Sequence, residues 1–114
     1  MMWLASEGFL VHGIDISQAA VDRFKERLQQ SGRTIPIPKV ACATRIPHKD
    51  NTFDAVIDCC VLQHLSEINA GLAIKEAFRV LKRAGRMFSM IASIGHSMTA
   101  FPDGVYTRLW NTAD

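Results

Sequence analysis

The chain contains no G-x-G triplet among its seven glycines, which excludes a phosphate-cradling loop of the glycine-rich form. Cysteines are few and odd in number: Cys42, Cys59 and Cys60. The adjacent pair would point to opposite faces of a strand, which suits neither a disulfide framework nor a metal-ligand spacing, so the three read as reduced thiols in a cytosolic core and no metal is expected. No apolar run approaches the roughly 20 residues of a membrane span. The start Met1-Met2-Trp3-Leu4 lacks a basic n-region and a cleavage site. A cytoplasmic protein without a membrane partner is expected. Charge of one sign is also missing: the net +2 arises from interleaved residues such as Asp22, Arg23, Lys25, Glu26 and Arg27. Without a stripe to track a phosphate backbone, no nucleic-acid partner is indicated.

What is present is enough for one compact domain. The 114 residues are 48% hydrophobic, which fills a single core. Met1 to Glu7 reads as the last turns of a helix closed by Gly8. Phe9 to Ile16 reads as a strand apolar on both faces apart from His12, as expected under helices on each side, and Gly13 inside it marks a close approach of another element or a ligand. Ser17 sits where an N-cap belongs. Ala20, Val21, Phe24 and Leu28 then repeat at helical spacing until Ser31-Gly32. Pro36 and Pro38 confine the next strand to Lys39 to Ala43 at a sheet edge. Thr44 to Thr52 is a polar connection, and Phe53 to Cys60 (FDAVIDCC) reads as a buried strand.

Ser66 is the next N-cap, and the stripe Ala70, Ile74, Ala77, Phe78, Leu81 predicts a helix of about four turns ending at Lys82-Arg83. Gly85 breaks it, and Arg86 to Ser93 forms a further strand. The remaining residues, 94–114, are loop-like, with Tyr106 and Trp110 as packing aromatics.

The residue with the most chemistry is Asp15, at the end of the strand VHGIDIS and just before a helix. In a parallel sheet the carboxyl ends of the strands face the ligand crevice. There a carboxylate suits a ribose diol, whose two hydroxyls it accepts through charge-assisted bonds. The same residue also suits a plain solvated position beside a helix N-terminus, stabilised by the helix dipole.

The order VHGIDIS, FDAVIDCCVLQHL and EAFRVLKRAGRMF resembles the class I S-adenosylmethionine-dependent methyltransferases over about residues 3–93. Their segments read "V.G.D.S", "FD.V.....L.HL" and "E..RVLKPGG.L". The resemblance implies an α/β, Rossmann-like, mostly parallel sheet flanked by helices, with methyl transfer from S-adenosyl-L-methionine to a small-molecule or unknown acceptor. It implies cofactor-binding roles for Asp15 on the ribose, for Ile16 against the adenine face, and for Ala43 and Thr44 at the adenine edge. Cys59 and Cys60 would line the methionine portion. His64, just beyond, is the candidate base, since an imidazole titrates near neutrality; as a plain structural residue it fixes the loop where a helix begins.

Three departures stand out. Cys42 occupies the place where the family has Asp, and a thiol does not replace a carboxylate as acceptor for the adenine amine, which leaves Thr44 or the backbone. Arg83 and Ala84 stand where the family has Pro and Gly. The glycine-rich loop and the first strand have no counterpart, nor do the last strands, so the resemblance implies an incomplete fold: residues 1–114 as one partial domain, truncated at its N-terminal side. The family's first strand lies between the second and the fourth. Its absence would leave apolar edges that pair with each other, with a second copy as a homodimer, or with nothing. Each lost backbone group costs roughly 1 to 3 kcal/mol. Two other readings stand beside methyl transfer: a remnant that binds no cofactor, and a nicotinamide-dependent dehydrogenase, in which an acidic residue also ends the second strand.

Overall fold

The structure, a computed structural model, describes residues 1–91. They fall into two units, Met1–Pro47 and the residues from His48 onward. The expected end of the last strand, the loop-like tail, Tyr106 and Trp110 lie outside the described residues.

In the first unit, helix α1 (Met2–Ser6) is followed by strand β1 (Ile14–Asp15), helix α2 (Gln18–Ser31) and strand β2 (Lys39–Val40). The Ser17 backbone is extended and its hydroxyl accepts the Ala20 N–H at 3.2 Å, so α2 begins where its capping residue dictates. It ends at Gly32, whose φ of 66° is left-handed. Val21 and Leu28 are buried and Phe24 half-buried, which is the expected stripe.

β1 is much shorter than the Phe9–Ile16 strand expected from its apolar text. Phe9 and Leu10 are 63% and 78% exposed, and His12 precedes the ladder. Its partner explains the length. Pro36 and Pro38 hold φ near the polyproline value, so β2 takes strand geometry only from Lys39. Parallel pairing is thereby limited to Ile14 with Lys39 and Asp15 with Val40. The flanking bonds run from the Lys39 N–H to the Gly13 carbonyl (2.9 Å) and from the Ala41 N–H to the Asp15 carbonyl (3.0 Å). The close approach marked by Gly13 is made by the Met1 side chain, which lies where a Cβ would sit.

In the second unit, strand β3 (Phe53–Cys59) leads through a 3-10 turn (Leu62–His64) into helix α3 (Glu67–Val80) and strand β4 (Leu81–Met90). β3 and β4 are parallel, with Ala55 opposite Arg86 and Cys59 opposite Met90. Among the described residues β1 pairs with β2 alone and β3 with β4 alone, giving two separate parallel ladders. The Ser66 hydroxyl accepts the Asn69 N–H and starts α3 as expected. The buried face of α3 is Ala70, Ala73, Ala77 and Val80, a row of mostly small side chains that lets the helix lie close to the sheet.

Two details of α3 differ from the expected stripe. Phe78 is 62% exposed, because one residue past Ala77 is a rotation of about 100° away from the buried row. The helix also ends at Val80, so its cationic last turn carries Arg79 rather than Lys82 and Arg83. The expected buried strand FDAVIDCC is buried on one face only. Val56 and Asp58 alternate inward, whereas Ala55, Ile57 and Cys59 are exposed, as are Phe88 and Met90 beside them. Cys59 is therefore not a core residue, and the cysteines are free thiols at or near the surface. Periodicity identifies an apolar face, but α3 packs against only one side of this ladder.

The turn from α3 into β4 carries a bulge between the Phe53–Leu81 and Ala55–Arg86 pairs. Gly85 is required there: a Cβ would meet the Lys82 carbonyl oxygen at 2.9 Å and the Asp54 carbonyl oxygen at 3.2 Å. Ala84 has a φ of 68°, a left-handed conformation that costs a non-glycine residue about 1 to 2 kcal/mol. Ala84→Gly is expected to stabilise the protein by about 0.5 to 1 kcal/mol, the relief of strain less the extra freedom glycine gives the unfolded chain. The check is a rise in denaturation midpoint with an unchanged slope; an unchanged or lower midpoint would refute it.

Candidate functional site

Two strand ends carry the residues singled out by sequence, one in each unit. In the first unit the adjacent parallel strands β1 and β2 finish side by side, so Asp15 and Ile16 leave one strand next to where Ala41 to Thr44 leave the other. Asp15 is exposed at the carboxyl end of β1. Its Oδ1 accepts the Ser17 N–H at 2.9 Å, which fixes the carboxylate against the start of α2. Its Oδ2 makes no hydrogen bond among the described residues. The solvated-cap role of this side chain is thus real, and it occupies one oxygen and leaves the other. Ile16 is 74% exposed, an apolar side chain held out just past β1.

On the neighbouring strand end, the Cys42 Sγ and Thr44 Oγ1 lie 3.1 Å apart, and the Arg45 N–H closes a turn onto the Cys42 carbonyl at 3.0 Å. The Cys42 thiol is held below its ordinary pKa, first by the Thr44 hydroxyl and then by the Thr44 N–H, against a smaller opposing effect of burial. These two contacts shift the balance toward the thiolate, and because a hydroxyl oxygen carries two lone pairs, Thr44 keeps acceptor capacity whichever of the two atoms donates in the Cys42–Thr44 contact. Ala43 between them is half-buried. Removing the hydroxyl with Thr44→Val is expected to raise the Cys42 pKa. The pH profile of iodoacetamide alkylation at Cys42, followed by peptide mass spectrometry, should then move to higher pH; a profile identical to that of the unmodified chain would contradict the assignment.

In the second unit Cys59, Cys60 and His64 gather around the carboxyl end of β3. Cys59 is exposed, Cys60 is half-buried with a φ of 62°, and the Cys60 N–H bonds to the Met90 carbonyl at 3.0 Å. His64 is exposed at the end of the 3-10 turn, its Nε2 3.4 Å from the amide nitrogen of buried Gln63. The side chain that builds this corner is one the sequence reading passed over. Asp58 is only 8% exposed; its Oδ1 accepts the Val61 N–H (2.8 Å) and the Leu62 N–H (3.3 Å), and its Oδ2 accepts the Ser89 hydroxyl. The visible signal was a carboxylate within the apolar run AVIDCCVL, four residues ahead of the Leu62–His64 turn.

The polar residues of the recognised segments have a different use. Arg79 makes a two-point pair with Glu76 (Nε to Oε1 2.7 Å, Nη2 to Oε2 2.8 Å). It also donates to the Asp50 carboxylate at 2.7 Å and the His48 carbonyl at 2.9 Å. Its pKa is raised above the ordinary range by Glu76 first and Asp50 second. Lys82 reaches Asp54 at 3.0 Å on the surface. The spacing E-x-x-R-V-L-K thus ties α3 to the loop before β3 and to the first residues of that strand, a structural rather than chemical duty.

A family model described as a methyltransferase domain matches residues 1–89. The chain belongs to this family. Members of the family take S-adenosylmethionine as methyl donor. Among its relatives, the ubiquinone/menaquinone biosynthesis C-methyltransferase UbiE of Chromobacterium violaceum is 35% identical over 74 residues, 65% of this chain and 29% of that protein. The putative methyltransferase YqeM of Bacillus subtilis is 30% identical over 105 residues, 90% of this chain and 42% of that protein. Among solved structures, the PH0226 protein from Pyrococcus horikoshii OT3 superposes with a TM-score of 0.77 at 27% identity, covering 82% of this chain and 41% of that one. The chain therefore spans less than half the length of each of these proteins, and the Rossmann-like α/β class expected from sequence holds for the part it spans.

Proposed function

We propose that the chain is the cofactor-binding part of an S-adenosylmethionine-dependent methyltransferase, with the β1–α2 turn and the end of β2 holding the adenosine. The observation that carries this reading is the Asp15 carboxylate: placed at the carboxyl end of a parallel strand, fixed through one oxygen by the Ser17 N–H, with the second oxygen making no bond among the described residues. A fixed anionic acceptor of this kind fits vicinal sugar hydroxyls. Exposed Ile16 gives an apolar surface for a flat base, and Thr44 retains acceptor capacity for an exocyclic amine. Ala43 is assigned to the same edge on the strength of the family resemblance. Cys59 and Cys60 are assigned to the methionine side on the strength of the family resemblance.

When bound, S-adenosylmethionine supplies an electrophilic methyl group on a sulfonium, displaced in line by the acceptor. The residues of this chain serve to orient and position, which is worth up to about 7 to 11 kcal/mol in such reactions. A small-molecule acceptor is the supported class, since two relatives are named for ubiquinone and menaquinone biosynthesis. His64, exposed at the end of the 3-10 turn, is assigned the role of taking an acceptor proton. Among the described residues no helix is long and apolar enough to cross a membrane, and the three free thiols support a cytoplasmic place.

Calorimetric titration tests the proposal. Saturable heat with S-adenosylmethionine and none with NADH is the expected result. Absence of heat at millimolar S-adenosylmethionine would leave the remnant reading, and saturable heat with NADH would favour the dehydrogenase.

A further inference from the structure

The corner at the end of β3 holds two thiols on consecutive residues, and its backbone is unusual at the second of them. In a regular strand the side chains of neighbours stand on opposite faces, which would keep the Cys59 and Cys60 sulfurs apart. Here the alternation is broken: β3 ends at Cys59, and Cys60 takes a left-handed φ of 62°. A non-glycine residue holds such a conformation only when its surroundings enforce it. Those surroundings are the bond from the Cys60 N–H to the Met90 carbonyl on one side and the Asp58 carboxylate gripping the Val61 and Leu62 N–H groups on the other. Cys59 is exposed, so the pair is open to reagents rather than sealed in a core.

We propose that Cys59 and Cys60 form a redox couple that closes to a vicinal disulfide when exposed to a low-molecular-weight disulfide such as oxidised glutathione. The thiolate of exposed Cys59 attacks one sulfur of the oxidant, breaking its S–S bond and releasing one glutathione, which carries away the proton of Cys59. The Cys60 thiolate then attacks the Cys59 sulfur, forming the protein disulfide and expelling the second glutathione, which carries away the proton of Cys60. The two protein thiols lose two electrons and the oxidant gains them. The product is a small ring through the Cys59–Cys60 peptide, directly before the turn that Asp58 organises. The inference rests on the thiol geometry at this corner, and its test needs no bound cofactor.

The test uses the full chain, reduced and then incubated with oxidised glutathione, quenched with N-ethylmaleimide and digested with trypsin. Residues 50–75 contain no lysine or arginine before position 75 and carry both thiols, whereas Cys42 falls in a separate peptide of residues 40–45. The expected product is peptide 50–75 lighter by two hydrogens and without maleimide. Cys60→Ser should instead retain one glutathione on Cys59, and Cys42→Ser should behave as the unmodified chain. A persistent glutathione adduct on peptide 50–75 of the unmodified chain, two maleimides there, or a bridge to peptide 40–45 would overturn the proposal.

Discussion

Asp58→Ala is expected to destabilise the second unit by about 2 to 3 kcal/mol, because it removes a buried anionic acceptor on which a hydrogen-bond network converges. The side chain is 8% exposed and accepts three hydrogen bonds, two of them from N–H groups at the start of the 3-10 turn. Alanine leaves the Val61 and Leu62 N–H groups and the Ser89 hydroxyl without their acceptor; the buried Leu62 N–H costs about 1 to 3 kcal/mol as an orphan, and the part-exposed Val61 N–H and Ser89 hydroxyl, which water can reach, cost less. Against a total stability of about 5 to 15 kcal/mol for a domain, that is a large fraction.

Asp58→Asn is the informative companion. It keeps Oδ1 for the two N–H groups, and its amide can donate to the Ser89 hydroxyl in place of accepting from it. The expected loss is therefore only about 1 kcal/mol. Denaturant midpoints of the two variants, with amide hydrogen exchange at Val61 and Leu62, provide the check. Equal stability of the alanine variant and the unmodified chain would show that Asp58 does not hold the corner.

Local chemistry made the helix ends legible. Ser17 and Ser66 each cap the helix that follows, and Gly32 takes the left-handed conformation that a terminating glycine allows. Tertiary cover was not legible. The apolar stretch from Phe9 to Ile16 reads the same whether or not a neighbouring strand can pair with all of it, and here the Pro36–Pro38 segment lets only two residues pair. Phe78 belongs to an apolar stripe in the sequence, yet the row that packs is the one through Ala73 and Val80, because small side chains bring α3 close to the sheet. The same limit hid the exposure of Cys59 and the duty of Asp58. A sequence shows that a carboxylate interrupts an apolar strand, but not that two N–H groups downstream turn back to meet it. The strained Ala84 was visible only as a departure from the family's glycine, and its φ supplies the reason the family uses one.

At Asp15 the two roles of one carboxylate separate by substitution. Asp15→Asn retains Oδ1 for the Ser17 N–H and replaces the other oxygen with a donor, so the start of α2 is kept while the charged acceptor is lost. Asp15→Ala removes both, and should in addition weaken the helix start by about 0.5 to 1 kcal/mol, in the manner of a lost cap. A hydrogen bond to a charged group contributes about 1.5 to 3 kcal/mol, so both variants should bind S-adenosylmethionine about 10- to 100-fold more weakly. Adenosine used as a competitor should lose affinity in parallel, because it carries the same sugar hydroxyls, whereas free methionine, which lacks them, should be indifferent to either substitution. Far-UV circular dichroism of Asp15→Asn, expected to match the unmodified chain, separates loss of binding from loss of helix. If both variants titrate like the unmodified chain, the carboxylate only caps α2, and the adenosine site must be sought elsewhere.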